Sequence, residues 1–311
     1  MKAYLDESRT RFFRHRVWNI GLVREPIHAF LEPNTHRRVE WFPPPVSGTY
    51  LADPFGVEVG GTLHILCEEF DYRVGRGAIC HLERSESGET SPPRRVLESP
   101  FHMSYPFLFE HRGGVYCVPE TARGREVAVF QALERPGRWR KVATLLGGIA
   151  AIDNTVFEHG GLWWLMCTDA TRGPDSHLMI WHSNSPFGPW QPHHLNPVKT
   201  DLRSSRPGGT PFVHRGALYR PAQDCSRTYG ARIVINRIVA LSPREFEEES
   251  VAWVEPDRKG SYPDGLHTLS AVGPFTLVDG FRFDIVGRPF LNAARQEPSR
   301  VKATLVRIIH G

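Results

Sequence analysis

The sequence predicts an all-β fold, a single five-bladed β-propeller over residues 1–311, and three observations predict it. A strand-turn-strand segment recurs about every fifty residues, the period of propeller blades. Apolar runs punctuated by 28 Gly and 26 Pro dominate, and no long stretch keeps a helical period. An apolar run near the N-terminus, 17–23, matches what an incomplete last blade lacks.

The first blade opens at Asp53-Pro54-Phe55, turns at Gly60-Gly61 and closes its inner hairpin at Cys67-Glu68-Glu69. Residues 78–82 and 95–97 supply its outer strands. The second opens at Tyr105-Pro106-Phe107, turns at Gly113-Gly114 and closes at Val118-Pro119-Glu120, with outer strands at 127–130 and 139–145. The third opens at Asp153-Asn154-Thr155, turns at Gly160-Gly161 and closes at Thr168-Asp169. Residues 178–181, a turn at 185–188 and Trp190 follow. The fourth opens at Thr210-Pro211-Phe212, turns at Gly216 and closes at Gln223-Asp224, with outer strands at 232–238 and 251–254. Residues 246–249 offer a short helical turn, an assignment the sequence leaves open. The openings at 53, 105, 153 and 210 stand 52, 48 and 57 residues apart. A fifth blade near 266 draws on 266–270, 275–278 and 303–306, and 17–23 closes the ring, which removes its open edge.

Composition excludes several classes. With 40% hydrophobic and 23% charged residues the chain is that of an ordinary globular protein. The net charge is +4, with basic residues scattered and no basic stripe interleaved with aromatics, so no nucleic-acid partner is expected. No apolar run approaches the roughly 20 residues of a membrane-spanning helix. Residues 1–16 are charged throughout and lack an apolar signal core, which predicts a cytoplasmic protein. Cys67, Cys80, Cys117, Cys167 and Cys225 are widely spaced, forming neither a disulfide framework nor a metal pair. No His/Cys/Asp cluster has zinc spacing, and neither metal nor cofactor is expected.

In a propeller, the start of each inner strand and the end of the next one meet at one mouth of the channel. Asp53, Tyr105, Asp153 and Thr210 therefore gather with Glu68 or Glu69, Glu120, Asp169 and Asp224. Clustered carboxylates repel one another, some pKa values rise, and a general acid can stand beside a general base. Each acid taken singly reads more readily as a loop cap than as a catalytic group, and Asp-Pro is a common turn pair. As a set at repeated positions they point to chemistry. Glycosidic cleavage needs such a pair and a group facing an oxocarbenium-like state. Asp53 is the expected base or nucleophile, Asp153 the stabiliser of positive charge, and Glu120 the proton donor. Glu68, Tyr105, Asp169, Arg206, Arg220, Asp224 and His267 are expected to bind substrate. His102 reaches the same mouth or lies in a surface loop, and His193-His194 stand in a solvated turn. Arg206 and Arg220 suit an anionic sugar or phosphate group, or pair with neighbouring acids.

Asp53-Pro54-Phe55, Asp153 and the turn 183–190 resemble five-bladed propeller glycosidases of the arabinanase/xylosidase and invertase/levansucrase groups. Tyr105-Pro106-Phe107-Leu108-Phe109, Val118-Pro119-Glu120, the 185–197 turn, residues 218–225 and Tyr229-Gly230 are more closely similar to another family. It is the N-terminal propeller-like domain of plant glucosamine inositolphosphorylceramide transferases and their bacterial relatives. That resemblance implies a sugar, glycan or glycolipid substrate. It also implies a glycosyltransferase or formyltransferase partner, since such domains accompany the relatives. The glycosidases place a Glu acid near the fourth blade; here Arg206-Pro207-Gly208-Gly209 stands there. The alternative to catalysis is a module that holds a glycan or glycolipid for a transferase.

Overall fold

The computed structural model describes residues 14–32, 37–133 and 137–285, and they form five small antiparallel sheets in a ring. The chain begins with β1 (Arg14–Val23) and β2 (Val39–Trp41). Blade 1 is β3 (Thr49–Val59), β4 (Thr62–Asp71), β5 (Arg76–Arg84) and β6 (Arg94–Leu97). Blade 2 is β7 (Ser104–His111), β8 (Gly114–Glu120), β9 (Glu126–Ala132) and β10 (Trp139–Gly147). Blade 3 is β11 (Ala151–His159), β12 (Leu162–Asp169) and β13 (His177–Ser183), edged by two short strands, β14 (Gln191–Pro192) and β15 (Lys199–Thr200). It thus departs from the expected four strands, because Pro192 and Pro197 break the outer edge into two pieces. Blade 4 is β16 (Phe212–His214), β17 (Ala217–Asp224), β18 (Arg232–Leu241) and β19 (Phe246–Val254). Residues 246–249 are therefore strand, held by pairs such as Ile238 with Glu248.

Blade 5 runs β20 (Leu269–Val272), β21 (Phe275–Ile285), β1, β2. The N-terminal strand closes the ring, pairing from Val23 opposite Thr276 to Arg14 opposite Ile285. It lies third in the blade, and β2 is the edge, where the sequence suggested 303–306 and 17–23; residues 303–306 lie outside the described residues.

Each seam between blades has its own apolar filling. Leu66, Ile79, Met103 and Cys117 pack between blades 1 and 2; Phe107, Val129, Val156 and Trp163 between 2 and 3. Trp164, Ile180, Leu218 and Ile238 join blades 3 and 4. Ile233, Ile235, Leu269 and Val278 join 4 and 5, and Ile20, Leu277, Leu51 and Ile65 join 5 and 1. Cys67, Cys117 and Cys167 belong to these fillings, and burial pushes their thiols up, as inert core cysteines require. Among the described residues no helix is long and apolar enough to cross a membrane.

Candidate functional site

The inner strand of each of the first three blades carries one irregularity at the same place. Register slips between Ala52 and Phe55, between Ser104 and Phe107, and between Ile152 and Thr155. Inside each bulge one non-glycine residue is left-handed: Asp53 at φ 52°, Tyr105 at 44° and Asp153 at 53°. In blade 4 the matching residue is Gly209 at φ 140°, not the expected Thr210, whose hydroxyl accepts the Ala271 N–H; Glu69, the alternative to Glu68, pairs with Arg95 instead. Non-glycine residues in this region cost on the order of 1–3 kcal/mol each and persist only where their surroundings hold them.

A bulge removes an N–H from the ladder, and here funnel side chains accept each one. The Asp53 N–H donates to Asp279 at 3.1 Å, the Tyr105 N–H to Asp53 at 3.2 Å, and the Asp153 N–H to Glu120 at 3.4 Å. The Gly209 N–H donates to the Tyr105 hydroxyl at 2.8 Å. Gly209 admits no side chain, since a Cβ would sit 1.8 Å from the Leu269 carbonyl oxygen.

These bonds bring Asp53, Tyr105, Glu120 and Asp153 into one buried cluster. His267 and Arg206 join it. His267 Nδ1 lies 2.6 Å from Asp279 and 3.8 Å from Asp53, and its ring stacks on Trp18 at 3.9 Å. Thr268 donates its hydroxyl to Asp53 at 2.9 Å. Arg206 donates to Asp153 at 2.6 Å and to Asp175 at 2.7 Å, with its guanidinium over the Tyr229 ring. Gln223 also donates to Asp153, at 2.7 Å. Glu68 is buried in the same field of acids, and its Oε1 meets no hydrogen-bond donor; His102 Nε2 is 3.7 Å away, so this histidine does reach the mouth.

The electrostatics separate the acids. Burial, then repulsion from Asp153, pushes Glu120 up to about 8, with Arg206 opposing. Burial pushes Asp53 up to about 6, with His267 opposing and Asp153 and Asp279 reinforcing. Burial and the charges of Asp53 and Glu120 hold Glu68 well above the carboxylate range. Burial alone would raise Asp279, but His267 outweighs it and holds Asp279 below its ordinary value. Burial likewise disfavours a charged His267, yet Asp279 and Asp53 outweigh it and raise this imidazole.

Three expected ligands sit elsewhere, for a reason of parity. Glu68 and Glu120 pair with Ala52 and Ser104, the residues just before the bulges. The matching position in blade 3 is Thr168, opposite Ile152, so Asp169 falls one residue further on. Its carboxylate accepts from the Thr171 N–H and hydroxyl instead, as a turn cap. On β17 the funnel-facing side chain is Gln223; Asp224 and Arg220 have the opposite parity. Asp224 caps Ser226 and pairs with Arg232 at 2.8 Å. Arg220, 2% exposed, is spent on Glu248 at 2.6 Å and on the Ser204 carbonyl. Nor is His193 solvated: it is buried, and its Nδ1 accepts the Leu195 N–H.

Sequence reasoning missed Asp279 and Gln223. Asp279 ends the apolar run 275–278 just as Glu68 and Glu120 end theirs, so the repeat itself carried the signal. Gln223 was one residue from the acid chosen in its place. The expectation of no metal site rested on spacing along the chain. Across strands, two groups each bring three ligand atoms within 4.8 Å of one another: Asp53, His267 and Asp279 in the funnel, and His64, His81 and Glu83 on blade 1.

The family model described as glucosamine inositolphosphorylceramide transferase 1, N-terminal, matches residues 44–264. The chain belongs to this family. It is 34% identical over 218 residues to glucosamine inositolphosphorylceramide transferase 1 of Arabidopsis thaliana, covering 68% of this chain and 28% of that protein. The same identity and length hold for the protein of that name from Oryza sativa subsp. japonica, of which 29% is covered. The chain thus spans less than a third of these curated relatives, and the family match falls on blades 1 to 4, which carry Asp53, Tyr105, Glu120 and Asp153, and stops short of His267 and Asp279. Among solved structures, the family 117 glycoside hydrolase Zg3597 of Zobellia galactanivorans superposes with TM-score 0.54 at 14% identity, over 88% of this chain and 92% of that one. The exo-β-1,3-galactanase 1,3Gal43A of Clostridium thermocellum gives 0.53 at 11%, over 71% and 57%. At such identities the likeness is one of fold.

Proposed function

We propose that this chain is carbohydrate-active and that its funnel cleaves or transfers a glycosidic bond of a glycan or glycolipid. The observation that carries the reading is the separation of two buried carboxyls in one cluster. Glu120 is pushed up to about 8 and so keeps its proton at neutral pH. Asp53, pushed up only to about 6, loses its own. A pair of titratable groups set apart in this way is what acid and base roles require. Glu120 is the proton donor and Asp53 the base or nucleophile. Asp153 faces the positive charge that develops on the sugar ring. Glu68, Tyr105 and His267 line the cluster and contact the sugar, and Arg206 takes any anionic group the substrate carries. Asp169, Asp224 and Arg220, held by turn caps and by ion pairs, have no part in this reading. The names of the plant relatives support a glycolipid substrate.

A second reading has its own observation. Asp153 is already neutralised by Arg206 at 2.6 Å, and three funnel carboxylates serve backbone N–H groups. A module that only holds a glycan for a partner glycosyltransferase would need no more.

The test is a panel of synthetic glycosides and glycolipid headgroups, with turnover and binding measured on the wild type, Asp53→Asn and Glu120→Gln. Turnover lost in both variants, with binding and fold kept, supports catalysis. Binding without turnover in the wild type supports the holding module, and neither binding nor turnover overturns both.

A further inference from the structure

We propose that blade 1 carries a zinc site built from His64, His81 and Glu83, independent of the funnel and of its function. In the β4–β5 pairing, His64 stands opposite Glu83 and Leu66 opposite His81. By strand alternation all three candidate ligands share one face of the sheet, the face from which Leu66 packs towards blade 2. His64 and His81 are buried, whereas the Glu83 carboxylate is half exposed.

The nitrogens are already converged. His64 Nδ1 lies 3.0 Å from His81 Nε2 and 3.6 Å from Glu83 Oε1, and all three atoms fall within 4.8 Å of one another. Ligand atoms about 2.0–2.1 Å from a tetrahedral zinc stand roughly 3.3 Å apart, so the nitrogen separation is within a few tenths of an ångström of what zinc needs, and the rings must turn so that their lone pairs converge on the metal instead of on each other. The rings lie nearly parallel, 10° between planes, with the two nitrogens facing each other. In the metal-free protein one ring donates to the other. When zinc enters, that proton moves to the far nitrogen of its own ring, and each facing nitrogen offers a lone pair to the metal. Glu83, on the solvent side, swings in as the third ligand, and water completes the shell.

The donor set narrows the metal. Two imidazoles and one carboxylate suit a divalent transition metal, of which zinc takes the tetrahedral shell that water completes, and not calcium or magnesium, which want oxygen alone. Arg94 is the nearby charge that opposes a cation: its residue pairs with His81 in register, but its guanidinium is solvated and bonded to the Gly137 carbonyl at 3.2 Å. The role is structural. His64 is four residues from Glu68, about 13 Å along the strand, so the metal stands well back from the funnel acids. It would clamp the two central strands of blade 1 beside the seam with blade 2.

The experiment uses the full chain, stripped with a chelator and titrated with zinc sulfate, read by calorimetry and by thermal melting. One equivalent binds, and a hundredfold excess over Kd raises the melting temperature by about 5 °C. Both effects are lost in His81→Gln and weakened at least tenfold in Glu83→Ala, yet persist in His267→Gln, which alters the other ligand cluster. Glu83 is exposed, so its variant keeps the test valid should His81→Gln fail to fold. No uptake by the wild type at 100-micromolar zinc, uptake unchanged in Glu83→Ala, or uptake lost only in His267→Gln would each overturn the assignment.

Discussion

Glu120 offers the sharpest test of the electrostatics, because its raised pKa is a statement about stability. The unfolded chain loses this proton near 4.5, while the folded chain keeps it until about 8. The folded state therefore holds more protons across that window, and stability is highest below 4.5 and falls as pH rises towards 8. From 4.5 to 7, at ~1.4 kcal/mol per pH unit, the loss comes to about 3 kcal/mol, a sizeable share of a protein's usual net stability. Glu120→Gln has no charge to bury, and its amide oxygen can still accept the Asp153 N–H. The variant should equal or trail the wild type by up to ~1 kcal/mol at pH 4.5, the worth of one altered hydrogen bond. By pH 7 it should lead by about 2 kcal/mol, while losing any turnover. Urea denaturation followed by tryptophan fluorescence at four pH values between 4.5 and 7 measures the difference. If wild type and variant run parallel across that range, Glu120 ionises in the folded protein and the proton-donor role goes with it.

Other expectations follow from the same geometry. Turnover should rise as Asp53 ionises near pH 6 and fall as Glu120 ionises near 8; a rate flat from 5 to 9 would remove both assignments. Deleting residues 1–25 removes β1, which pairs with β21 over its full length, so the truncated chain should show no cooperative melt by circular dichroism. A truncation that melts like the full chain would refute the closure. Arg206→Met leaves Asp153 buried with only Gln223 as donor, and unfolding should cost about 3–5 kcal/mol less, with a loss under 1 kcal/mol contradicting a buried pair. Gly209→Ala drives a Cβ into the Leu269 carbonyl and should yield little soluble protein, whereas Gly216→Ala, at φ 78° with open space around it, should cost only about 1 kcal/mol.

The blades were legible because their signal is periodic and local. Asp53, Tyr105 and Asp153 stand at matched bulges because the repeat that sequence shows is the repeat that the backbone folds. What stayed hidden was what alternation decides. Asp169 and Asp224 looked equivalent to Glu68 and Glu120, yet a one-residue offset turns them to the other face. The partnership of Arg220 with Glu248 was invisible too, since it joins strands 28 residues apart. The left-handed backbone at Asp53 and Tyr105 ran against expectation, because each precedes a proline, which favours an extended conformation. Only the surrounding acceptors stabilise it, and those come from other parts of the ring.

That last point bears on how the funnel acids should be understood. Asp279, Asp53 and Glu120 each accept an N–H that a bulge has freed, and each lies on a blade neighbouring the bulge it serves. A neutral acceptor also satisfies an N–H, though with a weaker bond than a carboxylate, and Tyr105 does so for Gly209. Charge is therefore not needed for the architecture. Burying carboxyls against one another raises Asp53, Glu68 and Glu120 and works against folding at neutral pH. For Gly209 of blade 4 the acceptor is the Tyr105 hydroxyl, which buries no carboxyl. Acids at the remaining positions carry an energetic penalty the fold could avoid, which is what the proposed chemistry on a bound sugar would account for.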